Sequence, residues 1–356
     1  MSPSDDHVRA LPKVELHTHV EGAALPATIA RIAARNGVDI GVDDPAELYR
    51  YRDLADFLRV YDVVCRSLQR AADFHEVAYE ALSIAAAAGV RRCEMFFSPT
   101  FTMRHGVAFA DLWAGLCAGI GDATADHGIV CAMILDIDKP SGPAAAEELI
   151  EFAAGCDRDL LIGIGGDAGE RDIDLATFAE PFERARRLGL RTTMHLGEEG
   201  PASDIATGVH VLGVERIDHG VSLLDDPELT ASVIDHRIPL TTCPTSNVSI
   251  GIFDRIADHP LPRMIELGVL ATVNADNAAM FGIDLADEYT NVRDAYGWSL
   301  DDLEALSLAG IDGCWADETT KKEMRAEFIA DLDRLRLDHG ADHGADHSAR
   351  HDIEER

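Results

Sequence analysis

The sequence predicts an α/β fold, a closed (β/α)8 TIM barrel with extra helices inserted between strands one and two. Three observations carry that reading. Short β-branched or apolar runs recur eight times, each followed by a polar or Gly-rich segment and then a helical pattern. Strands alternating with helices imply parallel pairing through right-handed crossovers. The 356 residues are 47% hydrophobic, enough for the core of one large domain. After the first strand stands HTHVEG and not a Gly-rich phosphate turn, which disfavours the runner-up, a doubly wound open sheet.

In order, the strands are read as VELH (14–17), RCEMFF (92–97), IVCAMILDI (129–137), LLIGIGG (160–166), RTTMHL (191–196), ERIDH (215–219), IPLTTC (238–243) and LATVNA (270–275). Between the first two lie about 70 residues that carry two amphipathic patterns, DLADFLRVYDVVCRSLQRA (53–71) and FHEVAYEALSIAAAAG (74–89). Such an insertion sits over the C-terminal mouth of a barrel as a lid, or packs on its flank; the pattern leaves both open. A single domain is expected over 1–337. The repeat DHGADHGADHSARHD that follows, with its four histidines, has low apolar content. Residues 338–356 are therefore expected to be a disordered tail, a weak metal chelator at most.

A formal charge of −33 argues against nucleic-acid and anionic-membrane partners and favours a small-molecule ligand. Adaptation to a saline cytoplasm and GC-rich coding both account for four lysines against 27 arginines, and neither touches mechanism. The seven cysteines form no C-x-x-C pair and read as reduced, mostly buried thiols. The N-terminus has no basic and apolar leader pattern, and no run approaches the roughly 18 apolar residues of a membrane span, so a cytoplasmic protein is expected. Whether it forms a homo-oligomer stays open.

Chemistry in a parallel barrel lives at the C-terminal strand ends. Strand one ends in His17 and His19, whose side chains, two residues apart, point the same way. Strand five ends at His195, with Glu198 three residues on; strand six ends at His219 and strand eight at Asp276. Each alone has a bland explanation, as a core histidine, a helix cap or a solvated carboxylate. Together they point to a metal. Imidazole nitrogen with one carboxylate suits zinc ahead of iron or manganese, with His17, His19, His195 and Asp276 as ligands. No lysine stands within 160–170 to bridge a second ion, which favours one ion per chain.

The segments PKVELHTHVEG, HLGEEGP, RIDHG and CPTSN, in that order between Pro12 and about Tyr289, resemble the signatures of the adenosine and adenine deaminase family, a branch of the barrel metal-dependent hydrolases. Glu21-Gly22, GIGGDAGE around Gly165 and HLGEEGP look most like the adenine deaminase branch. The resemblance implies hydrolytic deamination of a 6-aminopurine, most simply adenine to hypoxanthine and ammonia. Zinc lowers the pKa of water to roughly 7 in such sites. Glu198 is implied as proton donor to the ring nitrogen, His219 as orienting the attacking hydroxide, and Asp276 as both ligand and proton acceptor. Glu21, Gly22, Asp167, Ala168 and Asn277 are implied as substrate contacts, with Glu21 reaching where a ribose would sit.

One departure stands out. The family carries Asp-Asp-Pro where this chain has Asp276-Asn277-Ala278. Asn277 can still donate to a ring nitrogen or accept from a ring N–H. The substitution leaves adenosine, an N6-substituted base or another aminopurine as alternatives to adenine. A non-catalytic zinc barrel is the remote alternative, and the presence of both Glu198 and His219 counts against it. The cytidine-type P-C-x-x-C zinc site is excluded, since Cys243-Pro244 has no partner cysteine.

Overall fold

The computed structural model describes the backbone of residues 4–351 and the side chains of residues 4–337. Its eight parallel strands are β1 (Lys13–Glu15), β2 (Val90–Phe97), β3 (Val130–Asp138), β4 (Leu161–Asp167), β5 (Arg191–Leu196), β6 (Arg216–His219), β7 (Leu240–Thr242) and β8 (Ala271–Val273). They lie side by side in chain order, with helices on the crossovers. That is the predicted barrel, and every expected strand is present within a few residues.

The seam between β8 and β1 is closed differently from the other junctions. At the mouth, Asp276 N–H donates to the His17 carbonyl at 2.9 Å and His19 N–H to the Asp276 carbonyl at 3.0 Å. Below them side chains replace the ladder. Leu16 N–H donates to Asn274 Oδ1 at 2.8 Å, and Ala275 N–H donates to Glu15 Oε1 at 2.9 Å. This is why β1 stops at Glu15 although the apolar alternation runs on to His17.

The two inserted patterns fold as the helices Leu54–Ser67 and Ala71–Ala87, and each takes one of the two roles left open. The first is started by Asp53, whose carboxylate accepts from Asp56 N–H. It turns Phe57 and Tyr61 over the barrel mouth, where they bury against Phe101 and Ile250. The second lies on the flank against the helix Phe109–His127. Gly115 and Gly119 permit that approach, since a Cβ at either would overlap the backbone of Ala71 or His75. The last helix is Glu318–His351. The expected tail over 338–356 falls on residues whose side chains lie outside those described. Among the described residues, no helix is long and apolar enough to cross a membrane.

Candidate active site

The strand ends bring the expected histidines together. The His17 ring lies 4.6 Å from that of His195 and 4.7 Å from that of His219, centroid to centroid. His19 Nε2 faces His195 Nε2 at 3.3 Å. Asp276 Oδ1 lies 3.7 Å from His17 Nε2 and 3.5 Å from His19 Nε2. All are buried. Burial pushes His17 and His195 well below the usual imidazole range and His19 to about 3, so the rings are neutral.

Neighbours set the tautomers. Thr241 donates its hydroxyl hydrogen to Asp218 Oδ1 at 2.8 Å, so at 3.0 Å it accepts from His17 Nδ1–H. His195 Nδ1 lies 3.1 Å from the Gly166 carbonyl and must donate there. Both Nε2 atoms therefore carry lone pairs pointing inward, and His17 Nε2 is buried without a partner. The inward lone pairs of His17 and His195, beside His19 Nε2 and the Asp276 carboxylate, fit a divalent cation. The four side chains predicted as ligands satisfy that test.

Glu198 and His219 stand beside this cluster. Glu198 Oε1 accepts from Asn247 Nδ2 at 2.8 Å and lies 3.4 Å from His219 Nδ1. Burial first, then the charge of Asp276, raises the Glu198 carboxyl well above its ordinary range. Asp276 is pushed up to about 7, mainly by burial. Its Oδ2 accepts from Ser246 Oγ at 2.6 Å. His219 and Asp276 have φ of 63° and 58°, left-handed values uncommon outside glycine and typical of strained functional positions.

His19, His195, Glu198, His219 and Asp276 line one cavity, open toward solvent and roofed by Phe57, Tyr61, Phe101 and Phe281. Asp167, Ala168 and Asn277 line it too. Asp167 Oδ2 accepts from Ser98 Oγ at 2.7 Å, while Oδ1 is buried without a partner. Burial pushes that carboxyl up to about 8. Asn277 donates to Asp276 Oδ1 at 2.6 Å and leaves its own Oδ1 unpaired. Glu21 and Gly22 lie one layer back. Glu21 accepts from Ser98 N–H and Tyr61 OH, each at 3.0 Å. Gly22 packs under Asn277, whose carboxamide a Cβ there would overlap.

Sequence reasoning missed the residues that hold these in place. Thr241, Ser246, Asn247 and Asp218 each touch a site residue through a side chain. Asp218, Ser246 and Asn247 sit inside RIDHG and CPTSN, so the signal was the motif itself, which assigns no contact.

A parallel barrel with three buried histidines, an aspartate and a buried glutamate gathered at its mouth defines a metal-dependent hydrolase. The adenosine deaminase family model matches residues 12–332. An adenine deaminase of Streptomyces coelicolor is 37% identical over 334 residues, 93% of this chain and 97% of that protein. The crystal structure of adenine deaminase from Arthrobacter aurescens superposes with a TM-score of 0.86 at 31% identity, covering 92% of this chain and 99% of that one. An amidohydrolase from Burkholderia ambifaria, crystallised with bound zinc, gives a TM-score of 0.89 at 33% identity over 96% of each chain. The chain belongs to the adenosine deaminase family.

Proposed function

We propose that this protein is a zinc-dependent aminopurine deaminase, converting adenine and water to hypoxanthine and ammonia. One observation carries the reading: a buried Glu198, its carboxyl pushed up by burial, shares a cavity with His19, His195, His219 and Asp276. Held by His17, His19, His195 and Asp276, zinc supplies the Lewis acidity that brings the pKa of water to about 7.

The chain's own residues do the rest. Asn247 occupies Glu198 Oε1, which leaves Oε2 to carry the proton. Glu198 delivers that proton to the ring nitrogen beside the amino-bearing carbon as attack there breaks aromaticity. His219 orients the attacking water, and Asp276, with Oδ2 tied to Ser246, accepts its proton. Return of a proton to the amino group lets ammonia leave. The aromatic roof covers the ring and excludes water. Asp167 Oδ1, buried and unpaired at the cavity wall, is the acceptor that meets the ring's polar edge, with Asn277 lining the same cavity.

Among the described residues no lysine or arginine lines the cavity, which favours an uncharged purine over a phosphorylated one. With a charge of −33, nucleic acid and anionic membrane are poor partners, and a cytoplasmic place of work on a free purine fits best. Asn277 supports a second reading, a shifted base preference toward an N6-substituted or other aminopurine, or toward adenosine. The test is ammonia release from adenine, adenosine, N6-methyladenine and guanine by zinc-loaded protein, with Glu198→Ala as blank. Adenine is expected to turn over fastest; silence on all four, with zinc bound, would overturn the reading.

A further inference from the structure

Of the buried charges near the cavity, the pair Glu170 and Lys139 has no part in the chemistry above. Glu170 stands three residues beyond β4 and is 6% exposed. Its carboxylate accepts three consecutive backbone N–H groups from the loop after β5. Glu198 N–H reaches Oε1 at 3.4 Å, and Glu199 and Gly200 N–H reach Oε2 at 3.1 and 2.5 Å. Successive amides converging on one anion form a nest, a geometry that fixes the backbone supplying them. Gly200 suits this approach, since a Cβ there would press on Glu170 Oε2 and on Asp204.

Lys139, the residue after β3, completes the arrangement. Its Nζ donates to the carbonyl of His195 at 2.7 Å and lies 3.8 Å from Glu170 Oε1. One ammonium thus touches both the end of the strand carrying a metal ligand and the carboxylate gripping the next loop.

We propose that Glu170, with Lys139, is a positioning residue: it holds the 198–200 backbone so that the Glu198 carboxyl meets the purine ring nitrogen. The proposal rests on the deaminase reading above. Misplacement of a reacting group by about 1 Å costs on the order of a hundredfold in rate, which sets the expected scale. Substrate and metal are held by other side chains, so the loss falls on kcat.

The test compares wild type, Glu170→Gln and the double variant Lys139→Met/Glu170→Gln, each assayed for zinc content, Tm, and kcat and KM with adenine. Glu170→Gln keeps one carbonyl oxygen for the loop but turns an amide toward the Glu198 N–H. Its kcat is expected to fall about thirty- to hundredfold, with KM within about threefold and zinc at one per chain. The double variant removes the uncompensated ammonium and is expected to regain Tm without regaining kcat. Glu170→Gln with wild-type kcat would overturn the proposal. So would recovery of kcat together with Tm in the double variant, which would make the pair a stability device only. Should Glu170→Gln fail to fold, the double variant decides alone, its kcat read against wild type. A wild-type chain silent on every aminopurine is a separate outcome that overturns the deaminase reading and this proposal with it.

Discussion

The two ends of this barrel both bury charge and treat it in opposite ways. At the floor, Lys13 Nζ donates to the carbonyls of Val8, Leu11, Ala88 and Arg9 at 2.7 to 3.2 Å. Arg216 donates to Glu94 Oε2 at 2.7 Å and lies over the Trp315 ring at 3.9 Å. The other Glu94 oxygen accepts from Arg92 and from Trp315 N–H. Arg216 Nε and Nη2 lack an oxygen, and the indole face offsets part of that cost. At the mouth the open atoms are acceptors: His17 Nε2, both Asp136 oxygens, Asp167 Oδ1 and Asn277 Oδ1. A buried polar atom without a partner is costly, so such atoms collect where something else is meant to bind. At the floor the open atoms are Arg216 donors covered by an indole; at the mouth they are acceptors grouped near the histidines.

Metal removal is the strongest way to break that contrast. Exhaustive chelation is expected to abolish ammonia release and lower Tm, with both restored by zinc, because a ligand bound only to the folded state stabilises it. Full activity in chelated protein would show the mouth to be complete without a cation. Glu198→Gln comes next, with kcat down by about 10² to 10⁴ while zinc content stays unchanged. A glutamine variant as active as wild type would remove Glu198 from proton transfer.

The floor should respond in the other currency. Glu94→Gln leaves the fully buried Arg216 without its carboxylate, and breaking such a pair costs about 3–5 kcal/mol of stability. Denaturant unfolding should show that loss, while KM and kcat of the protein still folded stay near wild type. Equal damage to kcat would mean that the two ends are coupled.

How much of this was legible in the sequence follows the same division. His17, His19, His195, His219, Glu198 and Asp276 could be read because each stands at a strand end or just beyond it, and strand periodicity tells which way a side chain points. Their partners could not. Thr241 reaches His17 across 224 residues of chain, and Glu170 reaches Glu198 across 28. Periodicity identifies a face but not the neighbour that will meet it. The lid illustrates the same limit: Leu54–Ser67 and Ala71–Ala87 both read as helices with a buried face, the second more apolar all round, and the periodicity alone does not say which will cover the mouth. The β8–β1 seam was hidden too, since Asn274 and Glu15 substitute for a backbone ladder that no propensity reports.

Glu15 lies on that seam, between the two ends, and gives a pH test. Burial pushes its carboxyl up to about 8 from an ordinary 4.5. Between those values the folded protein holds a proton that the unfolded chain has released. Folding then binds more protons than unfolding, so this group makes stability fall as pH rises from about 4.5 to about 8, by at most about 1.4 kcal/mol per pH unit. Glu15→Gln keeps the acceptor for Ala275 N–H and removes the proton. Its stability should be flatter than wild type across that window in urea unfolding at successive pH values. Parallel curves would mean that Glu15 ionises in the fold as freely as in the unfolded chain.

The smallest expected effect tests whether the mouth's openness is also its selectivity. Asn277 lines the cavity, ties its amide to Asp276, and packs its unpaired carbonyl oxygen against Gly22. Asn277→Asp keeps the volume and the accepting oxygen but removes the donor to Asp276 and sets a second carboxylate beside it. An acidic side chain there favours the purine tautomer that presents a ring N–H. Relative kcat/KM between adenine and N6-methyladenine is expected to change by about tenfold, the scale of one net hydrogen bond. Activity on the better base should survive, because Glu198, His219 and the three ligand histidines keep their contacts and Asp276 keeps its bond from Ser246. An unchanged ratio would place selection in the aromatic roof, and Phe57→Leu would then be the substitution to move it.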